Sequence, residues 1–372
     1  MKSIFNKISL KHRLRVLKQL IINYDVAIIG GYHGYNLGDI ALGVSVQEAL
    51  KKRNLSATLQ TIYSLNSRLW KTKEYAILGG GAIGYTDSLL KLSSKYGDNF
   101  KYISILGVDF NEPDYTNNKV SKLIKDSLWV STRNQIQADF LKEKFGRSDV
   151  YVHPDLAFSL YSEFCKNIRE QKSVKSKKLL VNLVPLYGLI NDGEIVSSKQ
   201  YEKERPDLYE NFERMQGCYR EGVRKVVSDA LKEGYRVESL PFTPNDAKMA
   251  ELFFQDMDVK LTKYSDNPKQ VLKRMSKADK VLATRYHATI FAAKLNLEII
   301  PLAYAKKNEY LLEELGITRD SYLTVDDLAK GTKKFPKAIK FSSTLIDKWE
   351  NNSQLALDKC IDKIIESKRK SS

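Results

Sequence analysis

The 372-residue sequence predicts an α/β protein made of two Rossmann-like domains in tandem. Three observations lead there. Short apolar runs alternate with longer amphipathic segments along the chain, the pattern of βαβ units and parallel sheets. The chain exceeds the usual size of one hydrophobic core. A polar, lysine-rich stretch, "CKNIREQKSVKSKK", then separates two sets of strand candidates and is the expected linker.

In chain order, "MKSIFNKISLKHRLRVLKQLII" places Ile4, Ile8, Leu14, Leu17 and Ile21 among lysines and arginines at a rough helical spacing. Charges interrupt every apolar run before a membrane-spanning or secretory core can form. Residues 1–23 are expected to be a basic helix, either docked on the body or lying on an anionic bilayer. The first domain, 24–165, takes its strands from "DVAIIGG", "ATLQTIY", "YAILGGG", "YISILGV", "LWVST" and "DVYVH". The second, 176–335, takes them from "KLLVNLV", "RVESLPF", "KVLAT" and "EIIPLA". After the first strand of that set, "YGLINDGEIVSSKQYEKERPDLYENFERMQG" is unusually polar for a βα connection and reads as a flap or a surface insertion. Leu345, Ile346, Trp349, Leu355, Leu357, Ile361, Ile364 and Ile365 recur in helical rhythm, giving a C-terminal helix over 343–368 that packs back on the body. The sequence contains no internal repeat of solenoid type.

The formal net charge is +16. Lysines are spread along the chain without an RNP signature, a zinc-finger pattern or an arginine-rich arm, so nucleic acid is not the expected partner. An anionic substrate or a membrane-bound partner suits the charge better. Three cysteines, Cys165, Cys218 and Cys360, lack CxxC spacing, which argues against a disulfide framework or structural metal and for a reducing compartment. The expected location is the cytoplasm, including the inner face of the membrane, with no metal and no cofactor.

Four junctions carry candidate chemistry. In "VAIIGGYHGYNLGDIALG", glycines follow a strand, and His33, Asn36, Gly38 and Asp39 stand before a helical run. The loop lacks GxGxxG and GK[ST], so neither a nicotinamide cofactor nor ATP follows from it. Asp39 is either an N-cap or a functional carboxylate; His33 and Asn36 either bond a sugar hydroxyl or the local backbone. In "YAILGGGAIG", Gly79, Gly80 and Gly81 remove side chains where a ligand or a neighbouring loop approaches. In "STRNQIQADFL", Arg133 sits at a helix start, where a cation is disfavoured unless an anion accompanies it. In "TRYHATIFAAKLNLEIIPLAYAKK", Arg285, Tyr286 and His287 fall between a buried strand and a helix N-terminus, where open parallel sheets bind anions. Tyr304 and Lys307, after the next strand, reach the same rim.

Taken in series, "GYNLGDIAL", "ILGGG", "STRNQIQADFL", "PDLAF", "LPFTPND", "TRYHATIFAAKLNLEIIPLAYAKK" and "LLEELGI" resemble the polysaccharide pyruvyl transferase family from about residue 25 to about residue 316. Two positions depart from the family pattern: Asn134 stands where an aspartate is common, and Leu156 where a proline is. The resemblance implies two domains in a GT-B-like arrangement with a cleft between them. It also implies transfer of pyruvate from phosphoenolpyruvate, as co-substrate, to a sugar, giving a ketal and phosphate. Arg285, with Tyr286, Arg133, Tyr304 and Lys307, would hold the donor. His287 would be the acid-base group and Asp39 the base toward the acceptor. His33, Asn36, Gly38 and the three glycines would line the acceptor side, and a lipid carrier of the acceptor would suit the basic surface. The alternatives are a nucleotide-sugar glycosyltransferase and a non-catalytic membrane-associated scaffold.

Overall fold

In a computed structural model the chain divides into two units, Met1–Leu160 with Lys348–Ser372, and Tyr161–Asp347. The structure describes Lys18 and residues 22–371 except 33–34, 66–71, 98, 111, 172–175, 187–189, 192–193, 196–201, 203–211 and 331–336. The apolar positions expected in the basic N-terminal helix, His33, and most of the expected flap lie outside these residues.

The first unit is built on β1 (Val26–Gly30), β2 (Ala57–Thr61), β3 (Tyr75–Gly84), β4 (Ile103–Phe110), β5 (Trp129–Thr132) and β6 (Val150–Val152), in the order β2-β1-β3-β4-β5-β6. Every pairing is parallel. β1 and β2 are buried along their whole length, as expected where helices cover both faces of a parallel sheet. The second unit uses β7 (Lys178–Asn182), a small antiparallel pair β8 (Ile190–Asn191) and β9 (Glu194–Ile195), and then β10 (Arg236–Ser239), β11 (Val259–Lys260), β12 (Lys280–Ala283), β13 (Glu298–Ala303) and β14 (Leu323–Thr324). Its main sheet runs β11-β10-β7-β12-β13-β14, also parallel. That is the doubly wound order 3-2-1-4-5-6 counted within the sheet, and the first sheet follows the related 2-1-3-4-5 order with a sixth strand added. The expected α/β class therefore holds in both units.

Several helices start on a side chain suited to the task. Asn36, Asn117, Asn134 and Asn267 accept from first-turn amides, and Thr243 with Asp246 forms a full capping box. Asn36, not Asp39, is thus the cap of helix Leu37–Lys52; Asp39 stands in its first turn, where the helix dipole favours a carboxylate.

One further expectation needs correction, and the C-terminal helix packs back on the body as expected. Cys165–Gln171, expected as linker, lies in helix Ser162–Gln171 of the second unit. Cys165 is fully buried while Glu163, Lys166, Asn167, Glu170 and Gln171 are exposed, so the polar composition belongs mainly to the outer face of an amphipathic helix, and the nearly buried Arg169 donates to the Lys294 carbonyl (2.6 Å) and pairs with Asp347 (2.7 Å). The C-terminal helix, Ser343–Ser371, joins the first unit from Lys348 onward. Leu357, Cys360, Ile361 and Ile364 are fully buried, and Trp349 packs edge-on against Phe158 at 5.0 Å. Lys368 pairs with Asp25 at the start of β1 (2.8 Å), and Asp362 with Arg53 (2.8 Å). Among the described residues no helix is long and apolar enough to cross a membrane.

Candidate functional site

In the second sheet the strand order reverses between β7 and β12, and open α/β sheets place ligands beyond the carboxyl ends of the strands at such a point. Asn182 ends β7, and Thr284 and Arg285 follow β12. The Arg285 amide donates to Asn182 Oδ1 (2.9 Å), Thr284 Oγ1 donates to the Asn182 carbonyl (2.8 Å), and Asn182 Nδ2 donates to the Leu240 carbonyl (2.8 Å). Asn308 Nδ2 closes the network on the Thr284 carbonyl (2.9 Å). The strand-to-helix turn that carries Arg285 is therefore fixed from the end of β7 and from the helix that follows β13.

The guanidinium of Arg285 is held as firmly. Its Nε donates to Asp246 Oδ2 (2.6 Å) and its Nη2 to Asp246 Oδ1 (2.5 Å) and Thr243 Oγ1 (3.3 Å). Asp246 also accepts the amides of Phe242 (2.9 Å) and Thr243 (3.0 Å), and only 1% of its side chain is exposed. Burial works against the Arg285 charge, but the Asp246 carboxylate outweighs it and raises the guanidinium pKa. Arg285 is thus a fixed, permanently charged fork whose Nε and Nη2 are committed to Asp246. Nη1 is the remaining donor edge for a ligand.

Arg285 is also the N-cap of helix Tyr286–Lys294, and it supplies no capping hydrogen bond; nor does Ala305 at helix Lys306–Glu314 after β13. Two helix N-termini with no side-chain cap thus follow adjacent strands beside the arginine, which favours an anion there. Tyr286 and His287 occupy the first turn of the first of these helices, half-buried, with their rings edge to face at 5.3 Å. Tyr304 follows β13 and contributes to the field at Arg285, and the exposed Lys307 lies with Nζ 5.8 Å from the Tyr304 ring centre. Tyr219, fully buried, braces the end of β7 by accepting the Val184 amide (3.2 Å) and donating to its carbonyl (3.1 Å); burial drives its hydroxyl pKa upward.

The first sheet reverses between β1 and β3, where Asp39 stands. A Cβ placed on Gly31 would lie 3.4 Å from Asp39 Oδ2 and 3.6 Å from the Tyr63 hydroxyl, and one on Gly81 would lie 3.8 Å from Asp39 Oδ1. The carboxylate therefore overlooks the ends of both strands. Gly38 gives its amide to the Asn36 side chain (3.0 Å), so Asn36 serves the backbone at this loop. Gly79 makes room for Tyr32, which donates its hydroxyl to the Gly79 carbonyl and also fills the space over Gly30 and Gly43. Gly80 (φ +68°) and Gly81 (φ +88°) adopt a backbone that L side chains rarely accept, and a Cβ on Gly80 would fall 2.9 Å from Leu42. The glycine run is in the first place a packing device.

Arg133, directly after β5 of the first sheet, is held differently from Arg285. Its Nε donates to Asp109 Oδ1 (3.0 Å), its Nη2 pairs with Asp109 Oδ2, and its Nη1 pairs with the fully buried Asp155. Two carboxylates already offset its charge, so the helix-start arginine finds its anions within the fold. Of the expected donor residues, Arg285, Tyr286, Tyr304 and Lys307, together with His287, share the edge of the second sheet.

Asp246 and Asn182 are the residues the sequence reading left out. Asp246 carried a signal, since "TPND" after an apolar run is a Thr-x-x-Asp capping box. Its second partner, Arg285, is 39 positions away and becomes visible only with the sheet order. Among the described residues no three His, Cys, Asp or Glu side chains converge as metal ligands.

Among solved structures, UDP-GlcNAc 2-epimerase from Methanocaldococcus jannaschii is similar with a TM-score of 0.48 and 13% identity, over 91% of this chain and 98% of that one. UDP-GlcNAc 2-epimerase from Neisseria meningitidis gives 0.46 and 11%, over 93% and 99%. The wall teichoic acid polymerase TagF, as its H548A variant, gives 0.41 and 10%, over 95% and 97%. Among curated proteins, no sequence matches. The family model described as polysaccharide pyruvyl transferase matches residues 36–306.

Proposed function

Because the chain belongs to the polysaccharide pyruvyl transferase family, we propose that it moves pyruvate from phosphoenolpyruvate to a sugar of a cell-surface polysaccharide or its precursor. The observation that carries the donor assignment is the Arg285 fork, locked by Asp246, between two helix N-termini without side-chain caps at the reversal point of the second sheet. Phosphoenolpyruvate is a small dianion or trianion with a carboxylate and a phosphate. One group suits Nη1 of Arg285 and the first-turn amides of Tyr286 and His287; the other suits the helix start at Lys306 and the Lys307 ammonium. A guanidinium already paired with a carboxylate attracts the anion less than a bare one. The helix termini and Lys307 supply the rest of the field.

Chemically, the methylene carbon must gain a proton so that C2 becomes electrophilic, and His287 is the group we assign to that step. A sugar hydroxyl then bonds to C2 and loses its proton. The C2–O bond to phosphate breaks, and a second hydroxyl of the same sugar closes the ketal. The net change is two hydroxyls plus phosphoenolpyruvate giving ketal and phosphate, without a redox step. An acceptor on a lipid carrier at the inner membrane face fits the strongly basic chain.

Calorimetric titration of phosphoenolpyruvate, with a nucleotide sugar in parallel, tests the reading. Phosphoenolpyruvate should bind the wild type and His287→Gln, and binding should be lost in Arg285→Ala, with hydrogen exchange used to confirm that this variant is folded. His287→Gln should release no phosphate when acceptor is supplied. Binding of the nucleotide sugar alone would overturn the proposal.

A further inference from the structure

The amino ends of the strands in the first sheet gather positive charge that the transfer reaction does not use. Asp25, at the start of β1, accepts from the Ser56 amide (2.8 Å) and hydroxyl (2.7 Å) before β2 and pairs with Lys368 of the C-terminal helix (2.8 Å). Arg53, the C-cap of helix Leu37–Lys52, pairs with Asp362 of that same C-terminal helix (2.8 Å). At the start of β3 the Tyr75 hydroxyl donates to Ser367 Oγ (3.1 Å). Two helix ends are thereby fixed against one edge of the sheet.

Both ends are basic, with Lys51 and Lys52 in the last turn of one helix and Lys368, Arg369 and Lys370 in that of the other. The helix dipole favours a cation at each end, which explains either cluster alone but not their meeting. Asp25 and Asp362 are taken up by Lys368 and Arg53. Lys51, Lys52, Arg369 and Lys370 are exposed and make no ion pair among the described residues. Exposed Lys101 stands at the same edge before β4, and exposed Glu74 offsets one of these charges. Residues 1–21 lead into this edge through Ile22, which is 45% exposed. Their sequence holds lysines and arginines, no acidic residue, and the apolar positions Ile4, Ile8, Leu14, Leu17 and Ile21. A soluble polyanion satisfies only the cations; an anionic bilayer takes the cations at its headgroups and the apolar side chains at its acyl boundary.

We propose that this edge of the first unit, centred on Lys51, Lys52, Arg369 and Lys370, is the face that lies on an anionic lipid surface. The proposal is independent of the donor assignment. Asp39 and Arg133 stand at the opposite, carboxyl edge of the sheet. An acceptor anchored in the bilayer therefore has to extend past the length of β1, roughly 16 Å, to reach them.

Co-sedimentation of the full chain with lipid vesicles provides the test. The wild type should bind vesicles of equal parts phosphatidylcholine and phosphatidylglycerol, be released by about 0.5 M salt, and bind pure phosphatidylcholine at least about tenfold more weakly. Combining Lys51→Gln, Lys52→Gln, Arg369→Gln and Lys370→Gln should weaken binding at least about 100-fold, since each basic residue at an anionic surface is worth roughly fivefold in affinity. A control set on the second unit, Lys232→Gln, Lys273→Gln, Lys277→Gln and Lys340→Gln, removes the same charge and should stay within about threefold. All eight side chains are exposed, so both variants should melt as the wild type does. Equal weakening in the two variants would reduce the effect to net charge and overturn the proposal. So would a wild type that ignores the anionic vesicles, or a first variant that binds them fully. If soluble dextran sulfate binds through the four residues and vesicles do not, the lipid partner is refuted. Phosphoenolpyruvate binding should be unchanged in the first variant, so failure of the donor assignment and failure of this face are read separately.

Discussion

Replacing Asp246 with asparagine preserves size and removes one charge from the Asp246–Arg285 pair. The partners' side chains are only 1% and 16% exposed, so water screens the loss poorly. Breaking a buried pair by removing one partner typically costs about 3–5 kcal/mol, because the surviving charge is left uncompensated. Asp246 Oδ2 accepts the Phe242 and Thr243 amides as well as Arg285 Nε, so an asparagine that keeps its oxygen there turns its NH2 toward Arg285 Nη2, donor against donor. A chain of two units has no single unfolding free energy, so the suitable assay is local: amide hydrogen exchange across helix Pro244–Phe254 and the turn before it. A loss of that size accelerates exchange roughly 150- to 5000-fold where local opening controls it. Combining Asp246→Asn with Arg285→Met removes both charges and should recover much of the protection, so the two effects will not add. Exchange in Asp246→Asn within about threefold of the wild type would show that the pair does not hold this turn.

His153 is a buried imidazole whose Nε2 lies 3.0 Å from Ser131 Oγ and whose Nδ1 lies 2.7 Å from the Pro154 carbonyl; burial lowers its pKa below the ordinary value of 6.5. The unfolded chain therefore takes up a proton first, and stability of the first unit should be complete above about pH 6.5 and fall as the pH drops below it, a slope that His153→Gln abolishes in pH-dependent thermal melts. Asp25 meets its own burial cost, but hydrogen bonds from Lys368 and Ser56 bring its pKa down to about 2. Its contribution should persist above the ordinary carboxylate value of 3.8 and disappear as the pH falls through about 2, and in Asp25→Asn the exchange of the C-terminal helix should lose that acid dependence. Gly80 (φ +68°) and Gly146 (φ +62°) both have positive φ, but a Cβ meets Leu42 at 2.9 Å on the first and nothing within 4 Å on the second. Alanine should therefore cost about 1–2 kcal/mol at the left-handed Gly146 and about 1–3 kcal/mol more at Gly80, measured by denaturant melts of the first unit; equal costs would show that Leu42 yields freely.

The strands of both sheets were legible because a parallel strand covered on both faces is a short continuous apolar run, as in "VAIIG" and "KLLVN". β11 and β14 went unseen because two residues make no pattern. The helix start at Leu37 was legible but not its cap, since Asn36 and Asp39 are both suitable residues and only geometry separates them. The arginines were legible as unusual by position. Whether they were open to a ligand was not, because their partners are distant in sequence: Asp246 for Arg285, and Asp109 with Asp155 for Arg133. Sheet order brings such pairs together, and no local propensity encodes it.

The C-terminal helix has a consequence for how the chain is made. The flank of the first unit that Leu357, Cys360, Ile361 and Ile364 cover is synthesised before the second unit, but its cover is synthesised only after that unit. The second unit, continuous from Tyr161 to Asp347, can finish folding while the first still waits with apolar surface open, reversing the usual N-terminal-first order of multidomain chains. A translation stop just before Lys348 would then leave one finished unit and one that chaperones must hold, so late nonsense mutations would act chiefly through the half of the protein that is translated first.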